Sequence, residues 1–226
     1  MSAARENILG KVRRALGKTG TDLRALADAQ AYIDAHAQGP RPSLRGDLVG
    51  RFVQRATDME STVERIASRS EIPRAVSHYL DTIDAMAVTP GVRHSRRTGV
   101  CWPEFGDLDW SGAQVDMRVR PTVGDDIVGV TGVFCAIAET GTLVVLSGAD
   151  TPTATTLLPE THIAVVSANR IVAGMEEAFA LIRKERGMLP RAVNLISGPS
   201  RTGDIEQTIV LGAHGPYRVH ILLVAT

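Results

Sequence analysis

Aromatic side chains make up only 4% of this 226-residue chain. A core must therefore be filled by Ala, Val, Ile and Leu, and a hydrophobic content of 44% is enough to build one. Cysteine is scarce as well: Cys101 and Cys135 are far apart and form no C-x-x-C pair. A cubane iron–sulfur cluster takes about four thiolates, so the chain cannot hold one alone. No Cys/His pair has the finger-like spacing of structural zinc. Cys135, within Val133-Phe134-Cys135-Ala136-Ile137, reads as a small buried hydrophobe. Net charge is absent, 25 basic residues cancelling 25 acidic ones, which removes the electrostatic argument for nucleic acid. No apolar run approaches the roughly 20 residues that span a bilayer. Met1-Ser2-Ala3-Ala4-Arg5-Glu6 lacks the apolar segment of a secretory signal. A soluble, cytoplasmic protein without membrane insertion is the expectation.

What is present begins with a helical arm. Ile8, Leu9, Val12 and Leu16 form one stripe of an amphipathic helix over 3–16. A second helix is predicted over 22–36, and Gly39-Pro40-Arg41-Pro42-Ser43 breaks the chain. A third is predicted over 44–56. The expected organisation is a helical arm over 1–60 and an α/β domain over 61–226. Such an arm covers its own domain or embraces a second copy in a homo-oligomer.

From residue 62 strands and helices alternate. Strands are predicted at 62–67, 85–88, 128–138, 142–146, 162–166, 193–196 and 217–224, and helices at 72–81, 150–158, 171–186 and from 202. Alternation implies a mainly parallel sheet with helices on its faces. Thr140-Gly141 is a tight-turn pair that adds an antiparallel element. The fold class is α/β, a three-layer mixed sheet preceded by helices. Region 93–126, with Trp102, Trp110, Glu104, Asp107 and Asp109, reads as a cap over a pocket.

Chemistry is sought in the loops. Glu139-Thr140-Gly141-Thr142 either closes a hairpin, with glycine supplying positive φ, or offers amides and hydroxyls to a carboxylate or phosphate oxygen. Glu139 is also placed to act as nucleophile or base in acyl transfer. In Ser197-Gly198-Pro199-Ser200-Arg201-Thr202-Gly203-Asp204-Ile205-Glu206, Ser200 or Thr202 caps a helix whose first turn holds Asp204 and Glu206. Arg201 either forks onto a ligand carboxylate or pairs with one of those acids. Gly212-Ala213-His214-Gly215-Pro216 sets an imidazole between glycines, for acid–base work or as a surface turn. Glu160 and His162 form an E-x-H pair with no evident third metal ligand. No G-x-S-x-G elbow, phosphate-binding P-loop or G-x-G-x-x-G fingerprint occurs, so no cofactor is identified.

Four ordered segments, Ala138-Glu139-Thr140-Gly141-Thr142-Leu143, Leu157-Leu158-Pro159-Glu160-Thr161-His162, Ser200-Arg201-Thr202-Gly203-Asp204-Ile205-Glu206 and Gly212-Ala213-His214-Gly215-Pro216, resemble the lactate-utilisation protein C family, whose shared unit is the LUD domain. The resemblance runs from about residue 126 to 224, and Gly203 departs mildly where relatives carry another small residue such as Ala. It implies a fold similar to the NagB/RpiA/CoA-transferase group and a role in oxidising L-lactate to pyruvate beside two iron–sulfur partner proteins. Two functions stay open. One is a non-redox subunit binding a small anionic or nucleotide-like ligand in a strand-end crevice. The other is an autonomous CoA-transferase-like acyl transferase or ligase with Glu139 as nucleophile. The expected site joins Glu139 and His214, as catalytic groups, to Thr140, Gly141, Thr142, Ser200, Arg201, Thr202, Asp204, Glu206 and Gly215, with no metal.

Overall fold

A computed structural model describes residues 3–17, 22–42, 46–86, 97–203 and 209–225. The chain divides into two compact units, Met1–Pro42 and Ser43–Thr226. The first holds helices α1 (Ala3–Ala15) and α2 (Leu23–Ala35). Asp22 caps α2 by accepting the Ala25 N–H at 3.0 Å. Neither helix buries a side chain, and Ile8, Val12, Leu26 and Ile33 all remain exposed.

In the second unit α3 (Leu48–Asp58) precedes β1 (Thr62–Ile66) and α4 (Ile72–Met86). Then come β2 (Thr98–Cys101), β3 (Asp116–Val119), β4 (Val128–Gly132), β5 (Cys135–Ile137) and β6 (Thr142–Leu146). A short α5 (Ala154–Leu157) leads to β7 (Thr161–Ser167), β8 (Ile171–Val172) and α6 (Met175–Arg186). The strands β9 (Val193–Ile196), β10 (Arg201–Gly203), β11 (Ile209–Leu211) and β12 (Arg218–Val224) follow.

A six-stranded sheet, wholly parallel, runs β1-β12-β7-β4-β2-β3. Its inner strands β4, β7 and β12 are mostly buried because both faces are covered, whereas the edge strand β3 is largely exposed. On one face α4 places Ile72, Val76 and Leu80 against Val128, Val130, Ile163 and Leu222. The few aromatics concentrate at the end of that layer, where Trp102, Phe105 and Trp110 are buried. On the other face, Ala164, Val166, Val219, Ile221 and Leu223 meet Phe52 and Ala56 of α3 and Ala136, Ala138 and Leu143 of a second sheet. That second sheet runs β8-β5-β6-β9. Its strands alternate cleanly: Ala136 and Leu143 face the first sheet, while Cys135, Ile137, Val144 and Leu146 face Ala178 and Ile182 of α6.

The α/β class, the N-terminal helices and the mostly parallel pairing match the sequence reading. Four details differ. The antiparallel hairpin belongs to a separate sheet, because the apolar run 128–138 breaks at Gly132 and passes from one sheet to the other. Residues 85–86 end α4 instead of starting a strand, and 87–88 lie outside the described residues. The 171–186 helix begins at Met175, since Ile171 and Val172 pair with β5. Finally, α3 falls in the second unit rather than in a 1–60 arm, because Phe52 and Ala56 are fully buried in the core. No helix among the described residues is long and apolar enough to cross a membrane.

Candidate ligand site

The 139–142 segment is a hairpin turn. Gly141 has φ +69°, and a Cβ there would run into the backbone of Arg55 and Ala56. The Glu139 N–H donates to the Ala173 carbonyl at 3.0 Å, tying the turn to the end of β8. The carboxylates of Glu139, Glu176 and Glu177 all lie within 3.3 Å of where a Gly174 Cβ would sit, at the start of α6. Negative charge suits a helix N-terminus, and the crowding of like charges makes this end unwelcoming to a further anion. The Thr140 and Thr142 hydroxyls bond at 2.6 Å, and Thr142 reaches Ser197 at 2.7 Å. The turn is thereby joined to the loop that leaves β9.

That loop closes on a second one. Gly198, with φ +83°, lies against the Met59 carbonyl so tightly that only glycine fits. The Ser200 N–H donates to the Pro216 carbonyl and the Gly212 N–H to the Ser200 carbonyl, both at 2.9 Å. Arg201 and Thr202 do not begin a helix. They start β10, which pairs antiparallel with β11, so neither Ser200 nor Thr202 is an N-cap. Asp204 and Glu206 lie outside the described residues. Arg201 forms an ion pair with Glu60, just past α3. His214 is exposed at the tip of the second loop, with Gly215 packed on Ser200.

The loop pair therefore brings together Ser200, Arg201, Gly215 and Glu60. Among the described residues, Thr142 and Ser197 carry the side-chain link from the hairpin turn, while Arg201 pairs with Glu60 and not with Glu139. Glu60, Asp126, Glu160 and Tyr217 lie one or two residues before β1, β4, β7 and β12, so the crevice lies at the amino ends of the parallel strands. Leu211, Tyr217 and Arg218 are shared by two neighbouring cavities there. One, of about 550 Å³, includes Asp125, Asp126, Glu160, Gly212 and Gly215. The other, of about 720 Å³, reaches inward to Glu64, Tyr79 and His220. Arg218 bonds Glu160 at 2.5 Å, and Arg120 holds Asp126 at 2.7 Å, which with burial against it still leaves that carboxyl below its usual range.

The E-x-H pair does not converge. Glu160 is exposed, whereas His162 is fully buried against Thr131 at 2.8 Å, where desolvation pulls its pKa down to about 4. Among the described residues no group of three His, Cys, Asp or Glu is placed to hold a metal. Cys101 and Cys135 are both buried free thiols, each pushed by burial up to about 11.

A third cavity, of about 620 Å³, opens at the carboxyl ends of β2 and β4, from which the chain passes on to β3 and to the second sheet. It is walled by Trp102, Glu104, Phe134 and Arg186, and burial raises the Glu104 carboxyl. Of the region 93–126, read from sequence as a pocket cap, Trp102 and Glu104 line this cavity, whereas Asp107, Asp109 and Trp110 do not, and none of the four motif segments lines it.

A parallel-sheet α/β domain, with a hairpin-bearing second sheet and a pair of closed loops at one edge, defines the class. Residues 51–224 match the model of the LUD domain, and the chain belongs to that family. It is 34% identical to lactate utilization protein C of Bacillus licheniformis over 128 residues, covering 54% of this chain and 53% of that one. Against the protein of the same name from Bacillus subtilis the identity is 34% over 129 residues, covering 55% and 53%. A Geobacillus relative is 38% identical over 100 residues, covering 43% of this chain and 42% of that one. The chain thus spans about half the length of the curated relatives it matches. A crystal structure of a DUF162 family protein from Deinococcus radiodurans shares the fold, with a TM-score of 0.56 and 24% identity over 81% of this chain and 99% of that one.

Proposed function

We propose that the chain serves L-lactate utilisation as a subunit without a redox centre of its own. Its crevice between residues 197–201 and 211–218 holds a small anionic or nucleotide-like ligand. The relatives named lactate utilization protein C support the process. The observation that carries the site is the closure of the two loops: paired bonds through Ser200 fix a walled crevice out of segments separated in sequence. Both thiols being buried and protonated supports leaving electron transfer to iron–sulfur partner proteins.

The cations of the crevice, Arg201 and Arg218, are each engaged by a carboxylate. Exposed ion pairs are worth about 0–1 kcal/mol, so an incoming carboxylate or phosphate displaces Glu60 from Arg201 at small cost. Amide NMR titration with L-lactate, pyruvate and ADP tests this. The expected result is a saturable shift at Ser200, Gly212 and Gly215 with at least one of the three. Shifts confined to residues around Trp102 and Phe134 would move the site to the carboxyl edge.

A further inference from the structure

The cavity of about 620 Å³ at the carboxyl ends of β2 and β4 shares no lining residue with the loop crevice or with the cavity beside α4. Parallel α/β sheets commonly bind ligands outside the carboxyl ends of their strands. Its walls are fixed by bonds between separate segments. Trp102, buried just after β2, donates its indole N–H to the Pro152 carbonyl at 3.3 Å, which ties the turn after β2 to the loop after β6. Thr151 holds that loop by donating its hydroxyl to the Leu146 carbonyl at 2.8 Å. Arg69 donates to the Glu104 backbone carbonyl and pairs with Asp107, so the turn that carries the Glu104 side chain is also held.

Two charged side chains line this space without an ion-pair partner among the described residues. The Glu104 carboxylate accepts the Gly132 N–H and packs so closely on Gly132 that a Cβ there would displace it. Burial raises its pKa, and the Gly132 N–H and the Arg69 charge offset only part of that. Arg186, in the last turn of α6, rests its guanidinium on the Phe134 ring, 5.6 Å from the centroid. Arg170 lies over the same ring at 4.7 Å, but both oxygens of Glu185 engage it. Val133, Leu146 and Met188 supply apolar lining. Met188 is 82% exposed, a flexible apolar side chain that folding leaves in water and an occupant would cover.

Asp150 adds a second carboxylate, so the lining carries two negative groups and one positive. A ligand with an acid group alone meets net repulsion, and one with an amine alone leaves the guanidinium without an acid. A molecule carrying both gives each charged side chain a charge-assisted hydrogen bond.

We propose that the carboxyl-edge cavity is a second ligand site, taking a zwitterion of the amino acid class whose ammonium binds Glu104 and whose carboxylate binds Arg186, with an apolar body between them. The inference does not rest on the lactate reading, since L-lactate and pyruvate carry no cationic group.

Three probes built on one ring provide the test by calorimetry at pH 7.5 on the full chain. They are 4-(aminomethyl)benzoate, which has both groups, 4-methylbenzoate, which has the acid alone, and benzylamine, which has the amine alone. The zwitterion is expected to bind with a dissociation constant at or below about 1 mM, within reach of a ligand of its size. Each single-group probe should bind at least about tenfold more weakly. Glu104→Gln should reduce the zwitterion to the level of 4-methylbenzoate, and Arg186→Gln should reduce it to the level of benzylamine. In wild type the Gly132 amide and the Trp102 indole N–H resonances should move as the zwitterion is added. Absence of binding, equal binding of a single-group probe, or unchanged affinity in either folded variant would overturn the proposal. Shifts at Ser200, Gly212 and Gly215 instead would also overturn it, while leaving the loop crevice in place. If a variant does not fold, unmoved Gly132 and Trp102 resonances in wild type overturn the proposal alone.

Discussion

Arg201, at the start of β10, is ion-paired with Glu60, which lies beyond the end of α3 and almost the whole domain away in sequence. The pair links the loop leaving β9 to the segment entering β1. It also sets the charge of the crevice: the guanidinium suited to fork onto a ligand carboxylate already has a carboxylate beside it.

Replacing that carboxylate should therefore help an anionic ligand. Glu60→Gln is expected to tighten the binding of whichever of L-lactate, pyruvate or ADP binds wild type, by about three- to tenfold, because a competing charge is removed. Arg201→Lys should weaken it about tenfold, since an ammonium cannot reproduce the two-pronged contact. Calorimetry of both variants reads this directly. Unchanged affinity in both would place the ligand away from Arg201.

The two functional classes separate at Glu139. Its carboxylate lies beside Gly174 with Glu176 and Glu177, a setting that favours a structural role in the turn. Glu139→Gln should retain most activity in an L-lactate growth assay. A covalent nucleophile would instead lose all activity on the same substitution and accumulate no acyl-enzyme by mass spectrometry.

Fold stability should divide between residues 42 and 43. A chain lacking residues 1–42 is expected to unfold cooperatively, with a melting temperature within a few degrees of the full chain. Phe52→Ala should cost about 3–5 kcal/mol, because Phe52 is fully buried between α3 and the sheets. Urea unfolding of the two variants tests the assignment. A truncation that fails to fold would return the first helices to the main core.

Acid should destabilise the domain before its carboxylates titrate. His162 has a folded pKa of about 4, below its unfolded value of about 6.5. The unfolded chain then binds more protons between those values, so stability falls as pH drops through that window. The slope from this one residue approaches about 1.4 kcal/mol per pH unit well inside the window. Urea midpoints between pH 7 and 5 should decline, and His162→Gln should flatten the decline even if it lowers stability throughout. An identical slope in the variant would contradict the buried neutral imidazole.

Much of this architecture is legible in the sequence, for physical reasons. The Thr140-Gly141 turn is visible because a positive φ flanked by apolar runs admits few alternatives, and Gly141 has that φ. The central strands are visible because a doubly covered parallel sheet leaves continuous apolar runs. The break between β4 and β5 at Gly132 is hidden, since the run also carries Gly129 and Thr131, inside β4, and nothing local marks which of them ends the strand. The strands at 98–101 and 116–119 are hidden by the polar turns around them. Ser200 and Gly215 are flagged by their loops, but Glu60 is not, because its link to Arg201 depends on tertiary closure. The motifs carry the family, while the edge of the sheet on which their loops gather needs the topology.

The central claim is participation in L-lactate oxidation, and growth measures it most directly. In the organism that carries this chain, with every separate L-lactate dehydrogenase removed, deletion of its gene should abolish growth on L-lactate while leaving growth on pyruvate intact. Restoring the wild-type chain should recover growth, and restoring a folded Gly215→Trp variant, which fills the space against Ser200, should not. Undiminished growth on L-lactate without the chain would contradict the account.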